Sequence, residues 1–166
     1  FLDMAWNPTS FTVDNLLEHT YDFCLEFFGQ EEAEEAARIL NLCCKYNGRI
    51  SAEMLDARQY YTLETGEFEQ VCDDYARLEA EALRQYLRLK PEYRDAYQQI
   101  ILFPVQAMGN IYDMYYSQAM NQKLARNNDP AANYWAERCE RDFKRDAELC
   151  AYYNKEMGGG KWDGMR

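Results

Sequence analysis

Residues that favour β-strands are scarce in this chain. Three Val, five Ile and five Thr make up thirteen of its 166 residues. Ala, Leu, Glu, Gln and Arg, which favour helices, are plentiful. Hydrophobic side chains recur at spacings of three and four, as on one face of an α-helix. The sequence therefore predicts an all-α fold, and its length fits a single domain.

This periodicity predicts a bundle of about five helices within residues 12–157. We expect them at about 13–28, 31–46, 67–89, 91–127 and 130–157, with Thr12 capping the first and Thr65 the third. Pro104 predicts a kink in the fourth helix, because proline removes a hydrogen bond and crowds the preceding turn. The expected inner face of the fifth helix consists of Trp135, Cys139, Phe143, Ala147, Cys150, Tyr153 and Met157.

The segments outside these helices are expected to adopt other conformations. Residues 1–11 lack helical periodicity, and Pro8 disfavours the α conformation at the residue before it, so an extended arm is expected. A short helical turn is expected at 51–57 and an extended segment at 60–64. Three glycines end the last helix, and residues 158–166 are expected to form a short irregular tail.

The charge balance disfavours several partners. Asp and Glu number 29 against 18 Lys and Arg, which gives a net charge of -11. Nucleic-acid binding is not expected, because it depends on basic side chains that neutralise phosphates. No apolar run approaches the ~18 residues of a membrane helix, so no membrane partner is expected. The first residue is Phe1, which suggests a processed or excised piece.

No residue pattern points to an active site, metal or cofactor. The six cysteines form no CxxC pair and are expected to be buried small hydrophobes, although a disulfide stays open if the protein is exported. His19 is the only histidine, and the metal-binding HExxH and ExxH patterns are absent. Glu18, Asp22 and Glu26 could serve as paired carboxylates, but a solvated acidic face explains the same spacing.

Three stretches do not fit plain helix packing. They are the arm with Trp6 and Asn7, the turn at 46–49 with Asn47 and Arg49, and the glycine-rich segment at 159–162. A ragged terminus or an ordinary helix cap would also explain each of them.

At the same stretches the sequence resembles glycoside hydrolase family 115, whose members are xylan α-1,2-glucuronidases. The resemblance rests on four segments in order: FLDMAWNP, KYNGR, PEYRDAYQQIILFPVQAMGNI and YYNKEMGGGKW. It covers nearly the whole chain. Members carry a catalytic TIM-like barrel, then a helical domain of about this size, then a β-rich domain.

The resemblance implies a division of this chain and of its function. Residues 1–11 would be the exit of the barrel, 12–157 the helical domain and 158–166 the lead into the β-rich domain. Both partners would belong to the same parent chain. The catalytic acid and base would lie upstream of Phe1, so no catalytic residue is expected here. The parent would remove glucuronic acid or its 4-O-methyl form from xylan with inversion, and would be secreted or periplasmic.

Four residues are candidates for substrate proximity within this resemblance. Trp6 and Asn7 would follow a barrel strand, where loops build the active sites of such barrels. Asn47 and Arg49 could approach the substrate carboxylate, because arginine offers it a bidentate fork.

Other interpretations stay open. The chain could be a free-standing helical module that binds a protein or glycan through its tyrosines, with one aromatic groove on a closed surface. An autonomous enzyme is a third interpretation. A domain fragment would instead expose an apolar patch where the barrel docks, either around the arm alone or also on the fourth helix. A homo-oligomer is also left open.

Overall fold

The structure is a computed structural model that describes residues 2–58 and 63–165. Within these ranges there is no β-strand, which confirms the all-α prediction. The α-helices of this part of the chain are α1 Leu2–Trp6, α2 Leu16–Phe28, α3 Gln30–Asn47, α4 Glu67–Arg88, α5 Pro91–Tyr97, α6 Phe103–Arg126 and α7 Ala132–Lys155. Short 3-10 turns lie at Pro8–Ser10, Ala52–Met54 and Met157–Gly160.

The long helices run alternately up and down. The Thr20 hydroxyl near the start of α2 donates to Asn41 near the end of α3, so these helices are antiparallel. Contacts between α3 and α4, between α4 and α6, and between α6 and α7 show that each of these pairs is antiparallel as well. One end of the bundle therefore carries the arm and the turn after α3, whereas the other carries the α2–α3 turn and the C-terminal tail.

The core consists of two hydrophobic clusters along the bundle. The first lies where α2, α3 and α5 meet and includes Phe28, Ile39, Tyr97 and Ile101. Its buried Tyr97 hydroxyl donates to Gln85 Oε1 at 2.8 Å, so that polar group is satisfied. The second cluster lies between α4 and α6 and includes Phe68, Val71, Tyr75, Tyr112 and Tyr116.

The extended arm was a wrong prediction. Leu2–Trp6 is an α-helix, and Pro8–Ser10 is a 3-10 turn. Asn7 breaks the helix with φ -139° and ψ 78°, outside the α region as the following proline requires. Hydrogen bonds from Asn7 to Ser10 and from Thr9 to Asn7 close the turn, and these local contacts are hard to foresee from periodicity.

The helix expected at 91–127 with a kink at Pro104 is divided into two α-helices just before that proline. A π-helical turn, Gln98–Leu102, separates α5 from α6. The Phe103 N–H donates to the carbonyl of Gln98, five residues back. Such a turn inserts one extra residue and fits the place where proline cannot donate to the preceding turn.

Two details of the other helices differ from the prediction. Helix α2 begins at Leu16 rather than 13, and Thr12 does not cap it: the Thr12 N–H donates to Asn15 Oδ1 in a separate turn. Gly66 lies directly before α4, and the expected cap residue Thr65 acts from one position further back, where its hydroxyl accepts a hydrogen bond from the Glu67 N–H at 3.4 Å. The segment expected to be extended at 60–64 falls largely outside the described residues; Leu63 and Glu64 lie in a turn.

The predicted inner face of α7 is wrong at two residues in the middle of the helix, Phe143 and Ala147. Phe143 is 66 % exposed and Ala147 is also exposed. Asp142 is buried instead, and its carbonyl accepts a hydrogen bond from Asn110 of α6 at 2.8 Å. Polar contacts to α6 therefore set the rotation of α7.

The tail is short and irregular, as predicted, but it lies against the bundle. Gly158 and Gly159 adopt left-handed conformations that suit glycine. The half-buried Trp162 ring lies 6.4 Å from that of Tyr153, and Lys155 pairs with Asp163 at 2.6 Å.

Candidate functional site

The turn that follows α3 holds Asn47 in a fixed position. The Tyr75 hydroxyl of α4 donates to Asn47 Oδ1 at 2.6 Å. Asn47 Nδ2 lies 3.8 Å from the Cys43 sulfur, one helical turn back. Burial raises the pKa of Tyr75, so its hydroxyl keeps the proton that it donates. The Asn47 amide is therefore engaged inside the bundle.

Arg49 folds back over the same turn. Its guanidinium lies 4.7 Å from the centre of the Tyr46 ring, which is a cation–π distance. Its Nη2 lies 3.6 Å from Asp74 Oδ2 on α4, and Asp74 also pairs with Arg77. Arg49 Nη1 is buried without a hydrogen-bond partner in the described structure. The guanidinium thus links the turn to α4 and keeps one unused donor.

Trp6 and Asn7 lie on the arm. Trp6 is 91 % exposed and ends α1. Asn7 uses its side chain in the turn described above. The sequence-predicted residues thus form two separate pairs, Trp6–Asn7 and Asn47–Arg49, at the same end of the bundle.

The arm is attached to α2 by the only histidine. His19 Nε2 lies 2.8 Å from Asp3 Oδ2, and the His19 ring lies 5.4 Å from that of Phe11. The sequence showed only that His19 has no metal-binding pattern around it, and it did not predict this contact. A contact between side chains sixteen residues apart leaves no local signal, so only the fold could reveal it.

A group of exposed apolar side chains lies in the same part of the chain. We call it the arm patch. Its exposed members are Leu2, Met4, Trp6, Val13, Leu16 and Leu17. They lie within the first seventeen residues, on α1, the following turns and the first turn of α2. The arm patch is the largest group of exposed apolar side chains that is close together in sequence among the described residues.

A buried polar cluster between α6 and α7 was also missed. Arg138 pairs with Asp113 and lies 5.2 Å from the centre of the Trp135 ring. Asp142 is buried nearby, and its Oδ2 lacks a hydrogen-bond partner in the described structure. Burial, with the neighbouring Asp113 charge, raises the pKa of Asp142. The apolar periodicity of α7 concealed this cluster because Phe143 suggested a different face.

The acidic row of α2 and the cysteines are the remaining candidates for catalytic or metal-binding groups. Glu18, Asp22 and Glu26 are all exposed, which agrees with a solvated acidic face. All six cysteines are free, and Cys44 is exposed. Burial raises the pKa of Cys24 and of Cys43 to about 11, so neither is a ready thiolate.

Across residues 2–58 and 63–165, no group of three or more His, Cys, Asp or Glu side chains could hold a metal ion. No helix in this part of the chain has the length and apolar character needed to cross a membrane. No protein-family model matches the chain, and no curated protein matches it.

Proposed function

We propose that this chain is a non-catalytic helical domain of a larger glycoside hydrolase resembling family 115. It would dock through the arm patch against the catalytic barrel of the same polypeptide and connect that barrel to a β-rich domain. The barrel would supply both catalytic carboxyl groups. The complete enzyme would remove glucuronic acid, or its 4-O-methyl form, from xylan by inversion.

The arm patch is the observation that carries this proposal. Clustered apolar side chains on an isolated domain mark a missing partner more often than scattered ones do. Three members of the arm patch, Leu2, Met4 and Trp6, lie in the segment FLDMAWNP, the first of the four segments that carry the resemblance. Asp3 of the arm pairs with His19 of α2, so the arm is tied to α2 at this point while its side chains stay exposed.

The four candidate residues have different parts in this proposal. Trp6 offers its exposed ring to the barrel or to the substrate. Asn47 and Arg49 are engaged with Tyr75, Tyr46 and Asp74, so their main part is to shape the turn at the end that faces the barrel.

Trp6→Ser in the complete hydrolase tests the docking. Leu87→Ser is the matched control, since Leu87 is another exposed apolar residue but lies on α4, outside the arm patch. We expect Trp6→Ser to lower kcat/KM on glucuronoxylan by about 10- to 100-fold, because small displacements near an active site are costly. It should also separate the thermal transitions of barrel and helical domain. Equal activity and unfolding in the two variants would contradict the proposal.

A further inference from the structure

A pocket lies between the segments that precede α4 and the last turns of α6, at the same end of the bundle as the arm patch. We call it the basic pocket. Its volume of about 400 Å³ falls within the range of roughly 300–1,000 Å³ that is usual for small-molecule sites. The described residues that line it are Ala57, Arg58, Leu63, Glu64, Ala119, Gln122, Lys123, Arg126 and Asn127. None of them belongs to the arm patch or to the turn at 46–49.

The basic pocket is positively charged, although the chain as a whole has a net charge of -11. Its lining includes three basic side chains, Arg58, Lys123 and Arg126, against one acidic side chain, Glu64. Basic residues suit the last turn of a helix such as α6, but that does not account for Arg58, which lies in a turn before α4. Like charges that share a pocket repel one another, so an anion bound between them would relieve this repulsion.

These basic side chains are available to a ligand. Neither Lys123 nor Arg126 forms a salt bridge with any residue in the described part of the chain. Arg58 pairs with Asp56, two residues back, at 3.4 Å, and 75 % of its side chain is still exposed. The pocket therefore has positive charge that the fold does not neutralise.

The other lining residues favour a sugar acid over a small inorganic anion. Gln122 and Asn127 present amide groups, which can donate to and accept from hydroxyl groups. Leu63 and Ala119 add apolar surface, which the C–H groups of a pyranose ring can contact. A ligand that carries both a carboxylate and a hydroxylated ring would use all of these features.

We propose that the basic pocket binds the carboxylate of a glucuronic acid side chain of xylan. This inference rests on the proposed function, in which glucuronoxylan is the substrate of the complete enzyme. Arg58 and Arg126 can each hold a carboxylate through two parallel hydrogen bonds, and Lys123 adds a point charge. The barrel acts on a different side chain of the same polymer. Binding at a second point raises the local concentration of the polymer at the barrel.

The test is an NMR titration of the isotope-labelled chain with sodium glucuronate. The comparison ligands are glucuronamide, which has the same ring but no charge, and inorganic phosphate. We expect glucuronate to shift the backbone resonances of residues 119–127. Glucuronamide and phosphate should each bind at least about tenfold more weakly, because the first lacks the charge-assisted hydrogen bonds and the second lacks the ring.

Substitutions in the pocket should weaken glucuronate binding. Lys123→Gln and Arg126→Gln each remove a charged donor, so we expect the Kd to rise by about tenfold in each case. Arg84→Gln is the matched control, since Arg84 is an exposed arginine of α4 outside the basic pocket, and it should leave the Kd unchanged. Circular dichroism of each variant shows whether a change in binding reflects the lost side chain or unfolding.

Three results would overturn this inference. They are the absence of resonance shifts with glucuronate, equal affinity for glucuronate and glucuronamide, and phosphate binding as tight as that of glucuronate. The titration is independent of the activity assay. An active hydrolase whose helical domain does not bind glucuronate would refute the basic pocket alone. Glucuronate binding by the chain, with no activity in the complete hydrolase, would support the pocket and refute the proposed function.

Discussion

The carboxyl group of Asp142 is buried, which disfavours its charged form. It is 3 % exposed, and Oδ2 lacks a partner within the described structure. Its nearest basic partner is Arg141, at 3.2 Å. Burial and the Asp113 charge raise its pKa above the usual 3.8. The folded protein thus binds this proton more tightly than the unfolded chain does.

Asp142→Asn should therefore stabilise the protein as the pH rises. A raised carboxyl pKa makes the free energy of unfolding fall as pH increases through the window from about 3.8 to the folded value. Asparagine has nearly the same shape and no charge, so it removes this loss. We expect similar Tm values near pH 3.5 and a higher Tm for the variant at pH 8, since about 1 kcal/mol corresponds to 2–4 °C at this size.

Differential scanning calorimetry at the two pH values provides the measurement. Asp22→Asn, an exposed carboxylate on α2, is the control and should show no such divergence. A Tm gain for Asp142→Asn that is the same at both pH values would contradict the electrostatic cause.

The hydrogen bond between Tyr75 and Asn47 can be tested by a double-mutant cycle. Tyr75→Phe or Asn47→Ala alone leaves one buried polar group without its partner, at a cost of about 1–3 kcal/mol each. The double variant removes both groups, so its loss should be smaller than the sum of the two single losses. Urea unfolding gives the three values. Strict additivity would mean that this contact does not hold the turn.

Among the elements, helices with distinct end signals were the easiest to predict. Glu67 begins α4 as expected, and the end of α3 falls at Asn47 beside the predicted stop. The arm and the start of α2 were missed because side-chain hydrogen bonds of Asn7 and Asn15 shape them. The apolar spacing of Phe143 pointed to one face of α7, whereas Asp142 and Arg138 face α6.

Two substitutions test the observed rotation of α7. Phe143→Ser removes an exposed ring and should change the free energy of unfolding by no more than about 0.5 kcal/mol. Met157, just beyond α7, is buried, so Met157→Ala should cost about 2–5 kcal/mol. Both values come from chemical denaturation. If Phe143→Ser lowers the free energy of unfolding as much as Met157→Ala does, Phe143 lies in the core, as the sequence predicted.

For the whole molecule, composition and periodicity were enough to predict an all-α bundle, but not a site. The arm patch depends on which apolar side chains of the arm and of the start of α2 stay exposed, and on the contact between Asp3 and His19 that ties the arm to α2. The engagement of Asn47 and Arg49 depends on Tyr75 and Asp74 from a different helix. Such contacts join residues far apart in sequence, and their partners have no spacing that a pattern could detect.

The two ends of the bundle carry different structural features. The arm patch and the Tyr46–Arg49 turn lie at one end, whereas the glycine-rich tail lies at the other. The proposed hydrolase needs such a polarity, because the barrel would adjoin the first end and the β-rich domain would follow the tail. In this proposal the helical domain would support the catalytic domain without supplying a catalytic group.

Release of glucuronic acid from glucuronoxylan tests this account most directly. The assay compares this chain with the complete hydrolase at equal molar concentration. The account predicts release by the complete enzyme and none by the chain alone. Release by the chain alone would contradict it and would require a carboxylate pair among these helices. No release by either would also contradict it and would favour a free-standing binding module.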